Sequence, residues 1–228
     1  DGIEALISKL KSDKSYFDKF LDELTVNTTE MFRDPSFWKV IKEKIVPMFE
    51  SHQTIRIWHA GCSSGEEVYT MCIILEELGL LDKVKIYATD ISTPIIDKAK
   101  KGIYPSRNME TNSMNYELFG GKQEEFEKHY LKKGSNLQMN KSLIRNVNWI
   151  EQNLITTTEP FMKFDIILCR NVMIYFSSML QSQVFKLFHN SLLDKGIIGI
   201  GSKESFIWNH HINDYDQVTD EEKIFKLL

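Results

Sequence analysis

The stretch Thr54-Ile55-Arg56-Ile57-Trp58-His59-Ala60-Gly61-Cys62-Ser63-Ser64-Gly65-Glu66-Glu67 constrains the fold more than any other part of the chain. An apolar run containing Ile55, Ile57 and Trp58 stops at Gly61, and a helical apolar pattern opens at Val68 and continues through Met71, Cys72, Leu75 and Leu78. The expectation is a strand, a tight glycine turn and a helix. In an open α/β sheet such a turn lies outside the carboxyl end of the strand, where ligands bind.

The turn narrows the ligand. Gly61 and Gly65 are spaced Gly-x-x-x-Gly, not the Gly-x-Gly-x-x-Gly that lets backbone approach a pyrophosphate. Glu66 and Glu67 stand in the first helical turn, where helix N–H groups and the positive dipole end hold phosphates and two carboxylates oppose them. A cationic or uncharged nucleoside is acceptable there. S-adenosylmethionine (SAM), with a sulfonium and no phosphate, fits. The alternative for Glu67 is a capping box with Ser64 as N-cap and no ligand role.

Bulk properties exclude several classes. A chain of 228 residues suits one domain with an appendage or two small ones. No apolar run approaches the roughly 20 residues of a membrane span, and Asp1 to Lys14 mixes acids and lysines unlike a secretory signal. A start at Asp1 without Met reads as a processed or trimmed chain. Cys62, Cys72 and Cys169 form no Cys-x-x-Cys pair, so a reducing, cytoplasmic setting and no zinc site are expected. His210 and His211, read as strand residues, point to opposite faces and share no metal. A net charge of -4 opposes general nucleic-acid binding.

Residues 1 to 24 read as one or two amphipathic helices with Lys9, Lys11, Lys14 and Lys19 outward. Asp34-Pro35 signals an N-cap and first helical position, with Phe37, Trp38, Ile41 and Ile45 as the buried face and Pro47 as the stop. Asn27, Thr29 and Arg33 precede this helix; on residue type alone Arg33 reads as a surface or interdomain salt bridge. After the glycine turn, a second strand, Val84 to Thr89, closes on Asp90, 25 residues beyond Gly65. An acid at that place binds a ribose diol, the alternative being a loop acid capping its own turn. Thr93-Pro94 starts a helix that Gly102 stops.

Residues 103 to 145 interrupt the βα rhythm. A polar helical stretch leads to Gly120-Gly121, and segments 127 to 131 and 137 to 140 flank a hairpin turn at 132 to 136. This insertion reads as an appendage for a partner, a lid or a structural wing. The rhythm resumes at Val147 to Ile150, followed by Asn153-Leu154. Phe164 to Cys169 reads as a buried parallel strand whose polar end, Arg170-Asn171, reaches the edge that carries Gly61 and Asp90. Tyr175 follows four residues after Asn171 and shares its side if the segment turns helically; an ordinary half-buried aromatic is the alternative. A helix from about Ser178 to Gly196, a strand at 197 to 200 and a hairpin of 215 to 218 with 224 to 228 complete the pattern.

Assembled, the chain resembles the CheR family of chemotaxis receptor glutamate O-methyltransferases. The resemblance rests on Asn27 to Asp34, on Gly61 to Tyr69, on Ala88-Thr89-Asp90-Ile91 and on Cys169 to Phe176. It implies an α/β fold with a Rossmann-like, class I SAM-dependent methyltransferase sheet and an antiparallel closing strand. A short N-terminal helical segment (1–50) would precede the SAM-binding domain (51–228), with a small antiparallel β-subdomain inserted at about 103–145. It further implies that Asn27, Thr29, Arg33, Gly61, Glu67, Asp90, Asn153, Leu154, Asn171 and Val172 hold SAM and its product S-adenosylhomocysteine, and that Arg33 and Tyr175 face the reacting centre. The expected partners are chemoreceptor cytoplasmic helices, with no nucleic acid, no membrane insertion and a monomer favoured. Three departures stand out. Only 26 residues precede Asn27, where the family has a longer helical domain; Gly201-Ser202-Lys203-Glu204 replaces a common Gly-His-Ser-Glu; and the hairpin turn carries one glycine, Gly134. A small-molecule acceptor, or a SAM sensor without catalysis, remains a competing reading, and a dehydrogenase is the weakest.

Overall fold

The computed structural model describes residues 2–24, 29–206 and 209–228; the predicted site residue Asn27 lies outside them. Two amphipathic helices, α1 (Ile3–Ser12) and α2 (Lys14–Leu24), lead the chain. α3 (Pro35–Val40) begins at the Asp34-Pro35 signal and buries Phe37 and Trp38. It widens into a π turn over Ile41–Ile45 and tightens into a 3-10 turn over Val46–Phe49, where Pro47 has no N–H to continue the ladder. Asp34 differs from a standard N-cap: its backbone is left-handed, φ 57°, and its side chain makes no capping bond.

The βα units follow: β1 (Ile55–Ala60), α4 (Glu66–Glu77), β2 (Val84–Asp90) and α5 (Thr93–Lys101). Gly61 and Gly65 have φ of 79° and 94°. A Cβ on Gly61 would lie 2.4 Å from Val172 Cγ2, and one on Gly65 2.8 Å from the Ala99 Cβ. Both positions therefore need glycine for backbone angle and for close approach.

The insertion contains β3 (Ile103–Pro105), α6 (Met109–Phe119), α7 (Gln123–Phe126), β4 (Tyr130–Lys133) and β5 (Asn136–Met139), with an antiparallel sheet in the order β3-β5-β4. The hairpin exists, but its limits shift. Residues 127 to 129 form a 3-10 turn, and Lys132, Lys133 and Asn136, expected in the turn, are strand residues around Gly134-Ser135. Charged residues on an exposed edge strand are compatible with pairing on one side and deter it on the other.

β6 (Val147–Glu151), β7 (Phe164–Cys169), α8 (Ser178–Ser191), β8 (Leu192–Ile200), β9 (Tyr215–Gln217) and β10 (Ile224–Leu227) complete the chain. α8 ends five residues before the expected Gly196, because Leu192 already pairs with Phe164 of β7 and tertiary pairing overrides helix propensity. His210 and His211 open a 3-10 turn rather than a strand, since Asn209 Oδ1 accepts the His211 N–H at 3.0 Å.

Among the described residues seven strands form one sheet in the order β6-β2-β1-β7-β8-β10-β9, parallel except for the antiparallel β10 pairs. Alternation along β1 sends Ile55 and Ile57 to one buried layer and Trp58 and Ala60 to the other. The strand order reverses between β1 and β7, which opens a crevice at their carboxyl ends. No helix of the described residues is long and apolar enough to cross a membrane.

Candidate active site

Because β1, β2, β6 and β7 run parallel, the segments that follow them emerge at one edge. They enclose a cavity of about 570 Å³ together with Phe17 of α2 and the Thr29 to Arg33 segment, within the usual range for a small-molecule site. Thr29, Arg33, Gly61, Glu67, Asp90, Asn153, Leu154, Asn171, Val172 and Tyr175 all line it. Arg33, which on residue type alone reads as a surface or interdomain ion pair, stands in this wall.

Asp90 caps its own turn, one of the two readings made from the sequence, and also stands in the cavity wall. Its Oδ2 accepts the Ser63 N–H at 2.9 Å and its Oδ1 the Ser92 N–H at 3.1 Å. Burial pushes its pKa up and the N–H bonds pull against that. Three further atoms of lining residues, Ser63 Oγ, Gln152 Oε1 and Arg170 Nε, are buried without a partner among the described residues, polar groups that a bound ligand or water would satisfy. The described lining carries Glu30, Glu67 and Asp90 against two arginines, Arg33 and Arg170, and no lysine, and Arg170 is already engaged by Asp34 and Glu67. This donor and acceptor set fits a ligand with hydroxyls and a cationic centre, as SAM has.

Glu67 does not close a capping box with Ser64. The helix is preceded by Gly65, Ser64 Oγ donates to Glu66 at 2.7 Å, and Glu67 is engaged elsewhere. Its Oε1 lies 2.9 Å from His59 Nδ1, and its Oε2 accepts from Arg170 Nη1 at 3.2 Å. Burial alone raises the Glu67 pKa, but the His59 bond and the Arg170 charge outweigh it and the carboxyl is held low. Arg170 Nη2 also donates to Asp34 Oδ2 and to the Arg33 carbonyl, and its guanidinium lies 4.1 Å from the Phe37 ring. Trp38 Nε1 donates to the same carbonyl at 3.0 Å. The backbone that carries Arg33 is thus anchored to the glycine-turn helix. Burial pushes the neighbouring Glu66 carboxyl up to about 7.

Residues 27–223 match the family described as CheR methyltransferase, SAM binding domain. This chain belongs to the CheR methyltransferase family. The Cher3 protein of Pseudomonas putida is 38% identical over 98% of this chain and 81% of its own. The chemotaxis protein methyltransferase of Listeria innocua is 32% identical over 87% of this chain and 72% of its own. Chemotaxis protein methyltransferase 1 of Vibrio cholerae is 35% identical over 81% and 67%. The protein is a SAM-dependent methyltransferase, and its sheet is the class I α/β sheet expected from the sequence.

This CheR sheet also brings in residues that sequence reasoning missed. His59, Arg170 and Glu204 are buried. Arg170 was legible only as the polar end of a strand, and His59 as a member of the run before Gly61. Lys203, the departure from the common CheR pattern, is exposed and outside the cavity lining. Glu204 beside it is 4% exposed and folds back under the β7 loop.

Proposed function

We propose that this CheR-family chain transfers the methyl group of SAM to glutamate side chains in the cytoplasmic helices of chemoreceptors. The observation that carries the reading is the position of Tyr175, which lines the same cavity as Asp90 and Arg33 while 53% of it stays exposed. A side chain reaching in from another protein would meet it first. The names of the Listeria and Vibrio relatives support the receptor setting.

SAM, when bound, supplies a methyl group on a sulfonium centre. A glutamate is already ionised at neutral pH, with an ordinary pKa of about 4.3, so no general base is required. The site's task is orientation and exclusion of water. In this reading Arg33 orients the acceptor carboxylate, and the Tyr175 hydroxyl donates a hydrogen bond to the substrate. Asp90 accepts from the ribose hydroxyls, and Glu67 presents an anionic face beside Gly61. Thr29, Asn153, Leu154, Asn171 and Val172 complete the cofactor wall, with Asn27 assigned by the family motif. Residues 1–50 act as a helical segment closing one wall, 51–228 as the SAM-binding domain, and the 103–145 insertion as the part that meets the receptor in the cytoplasm.

Transfer of a labelled methyl group into receptor cytoplasmic fragments tests the proposal. Label in base-labile glutamyl esters is expected. Tight S-adenosylhomocysteine binding with no label in any receptor fragment would favour the sensor reading instead.

A further inference from the structure

The loop that leaves β7 forms one wall of the cavity, yet its shape depends on a residue outside the cavity. Glu204 Oε1 accepts the N–H groups of Val172 at 3.0 Å and Met173 at 2.7 Å. Its Oε2 accepts those of Asn171 at 3.0 Å and Gly201 at 2.6 Å. Three consecutive amides therefore converge on one buried carboxylate. Asn171 is left-handed, φ 61°, and a left-handed residue in such a run turns successive N–H groups to one side, making an anion-binding concavity. The chain supplies its own anion.

Two close approaches show how this reaches the cavity. A Cβ on Gly201 would fall 2.8 Å from Glu204 Oε2 and 2.9 Å from the Asn171 nitrogen, so the bare backbone there admits the carboxylate. On the other side of the loop, Val172 packs on Gly61 so closely that a Cβ on Gly61 would lie 2.4 Å from it. Glu204 thus sits behind a loop whose front abuts the glycine turn, and Asn171 and Val172 both line the cavity between them.

We infer that Glu204 is a positioning residue, whose carboxylate holds the 171–173 amides and thereby sets the affinity of the cavity for SAM and S-adenosylhomocysteine. The inference rests on Asn171 and Val172 serving as cofactor wall and is independent of the methyl acceptor. A glutamine in this place keeps one accepting oxygen and turns an NH₂ group toward two N–H donors.

The test is calorimetry with S-adenosylhomocysteine on Glu204→Gln and Glu204→Asp, well below their unfolding temperatures, with amide hydrogen exchange at 171–173. Glu204→Gln is expected to weaken binding by roughly tenfold or more and to deprotect these amides, and Glu204→Asp to recover part of both. Wild-type affinity in Glu204→Gln, with the amides deprotected, overturns the inference. Asn171→Ala in parallel separates the two failures: if it too binds normally, the cofactor-wall reading fails, and if it binds weakly, only the role of Glu204 does. Should Glu204→Gln not fold, exchange in the wild-type protein decides, because freely exchanging 171–173 amides contradict a preformed nest.

Discussion

Arg170 donates to Asp34 at 2.6 Å across 136 positions of sequence, so the end of β7 holds the residue that opens α3. The Arg170 side chain is 2% exposed and bridges Asp34 to Glu67 while lying on Phe37. The left-handed backbone of Asp34 follows: its carboxylate is turned to Arg170 instead of to the amides it would cap. Breaking a fully buried pair typically costs about 3 to 5 kcal/mol, and with Asp34 37% and Glu67 19% exposed the loss here belongs near the lower figure. Arg170→Ala is expected to cost about 3 kcal/mol in urea unfolding. Arg170→Lys should fall between, since an ammonium keeps the charge and loses the planar fork. Combined with Glu67→Gln, the loss should be smaller than the sum, because the two residues share one network.

The same anchoring bears on catalysis. Arg33 hangs from a carbonyl fixed by Arg170 and Trp38, whereas Tyr175 stands in a single 3-10 turn, Met173–Tyr175, at the cavity mouth. Arg33→Ala and Tyr175→Phe are each expected to lower turnover on receptor fragments by on the order of 10- to 100-fold. Tyr175→Phe should leave S-adenosylhomocysteine affinity near wild type, as the role proposed for the lost hydroxyl is on the substrate side. Wild-type rates in both variants would remove these residues from the reaction.

What was legible in the sequence follows from the range of the interaction. The strand before Gly61, the strand ending at Asp90 and the strand ending at Cys169 show as local apolar runs with turn residues behind them, and parallel pairing then sends their ends to one edge. Local pattern failed where a distant partner decides: Leu192 left its helix to pair with Phe164, and Lys132 and Lys133 became strand by pairing with Leu137 and Asn136. The network of Asp34, His59, Glu67 and Arg170 has no local signature. Its members are drawn together by sheet order, and Glu204 reaches the β7 loop only because β8 lies beside β7.

Glu66 provides a pH test. It is 5% exposed, and burial raises its pKa from 4.5 to about 7, with the Ser64 hydroxyl opposing. The folded state therefore keeps a proton that the unfolded state releases between these values. Its contribution to stability is full below about pH 4.5 and is lost as pH rises through about 7. Glu66→Gln carries no such proton. Denaturation of both proteins from pH 5 to 8 should show the variant gaining on the wild type by about 3 kcal/mol. A constant difference across this range would mean that Glu66 is already ionised in the folded protein.

Deleting residues 122 to 141 does not cleanly separate protein from small-molecule acceptors, because the insertion is packed into the core. Phe126, Tyr130, Leu137 and Met139 belong to the same buried cluster as α4 and the Ile55 and Ile57 side of β1. Phe126 stacks on Tyr116 at 5.0 Å and meets the Phe32 ring at 5.9 Å, and Phe32 is the neighbour of Arg33. Losing a buried aromatic costs about 3 to 5 kcal/mol and a buried aliphatic about 2 to 5. Four together reach the whole stability of about 5 to 15 kcal/mol of an ordinary domain. The deletion is expected to abolish cooperative unfolding and S-adenosylhomocysteine binding, although no deleted residue lines the cavity. Leu131, by contrast, is 61% exposed on the edge strand. Leu131→Ser should shift stability by no more than about 0.5 kcal/mol, so surface changes of this kind can probe the proposed receptor face with the site intact. Normal S-adenosylhomocysteine affinity in the deletion variant would show that Phe32 and Arg33 hold their places without the insertion behind them.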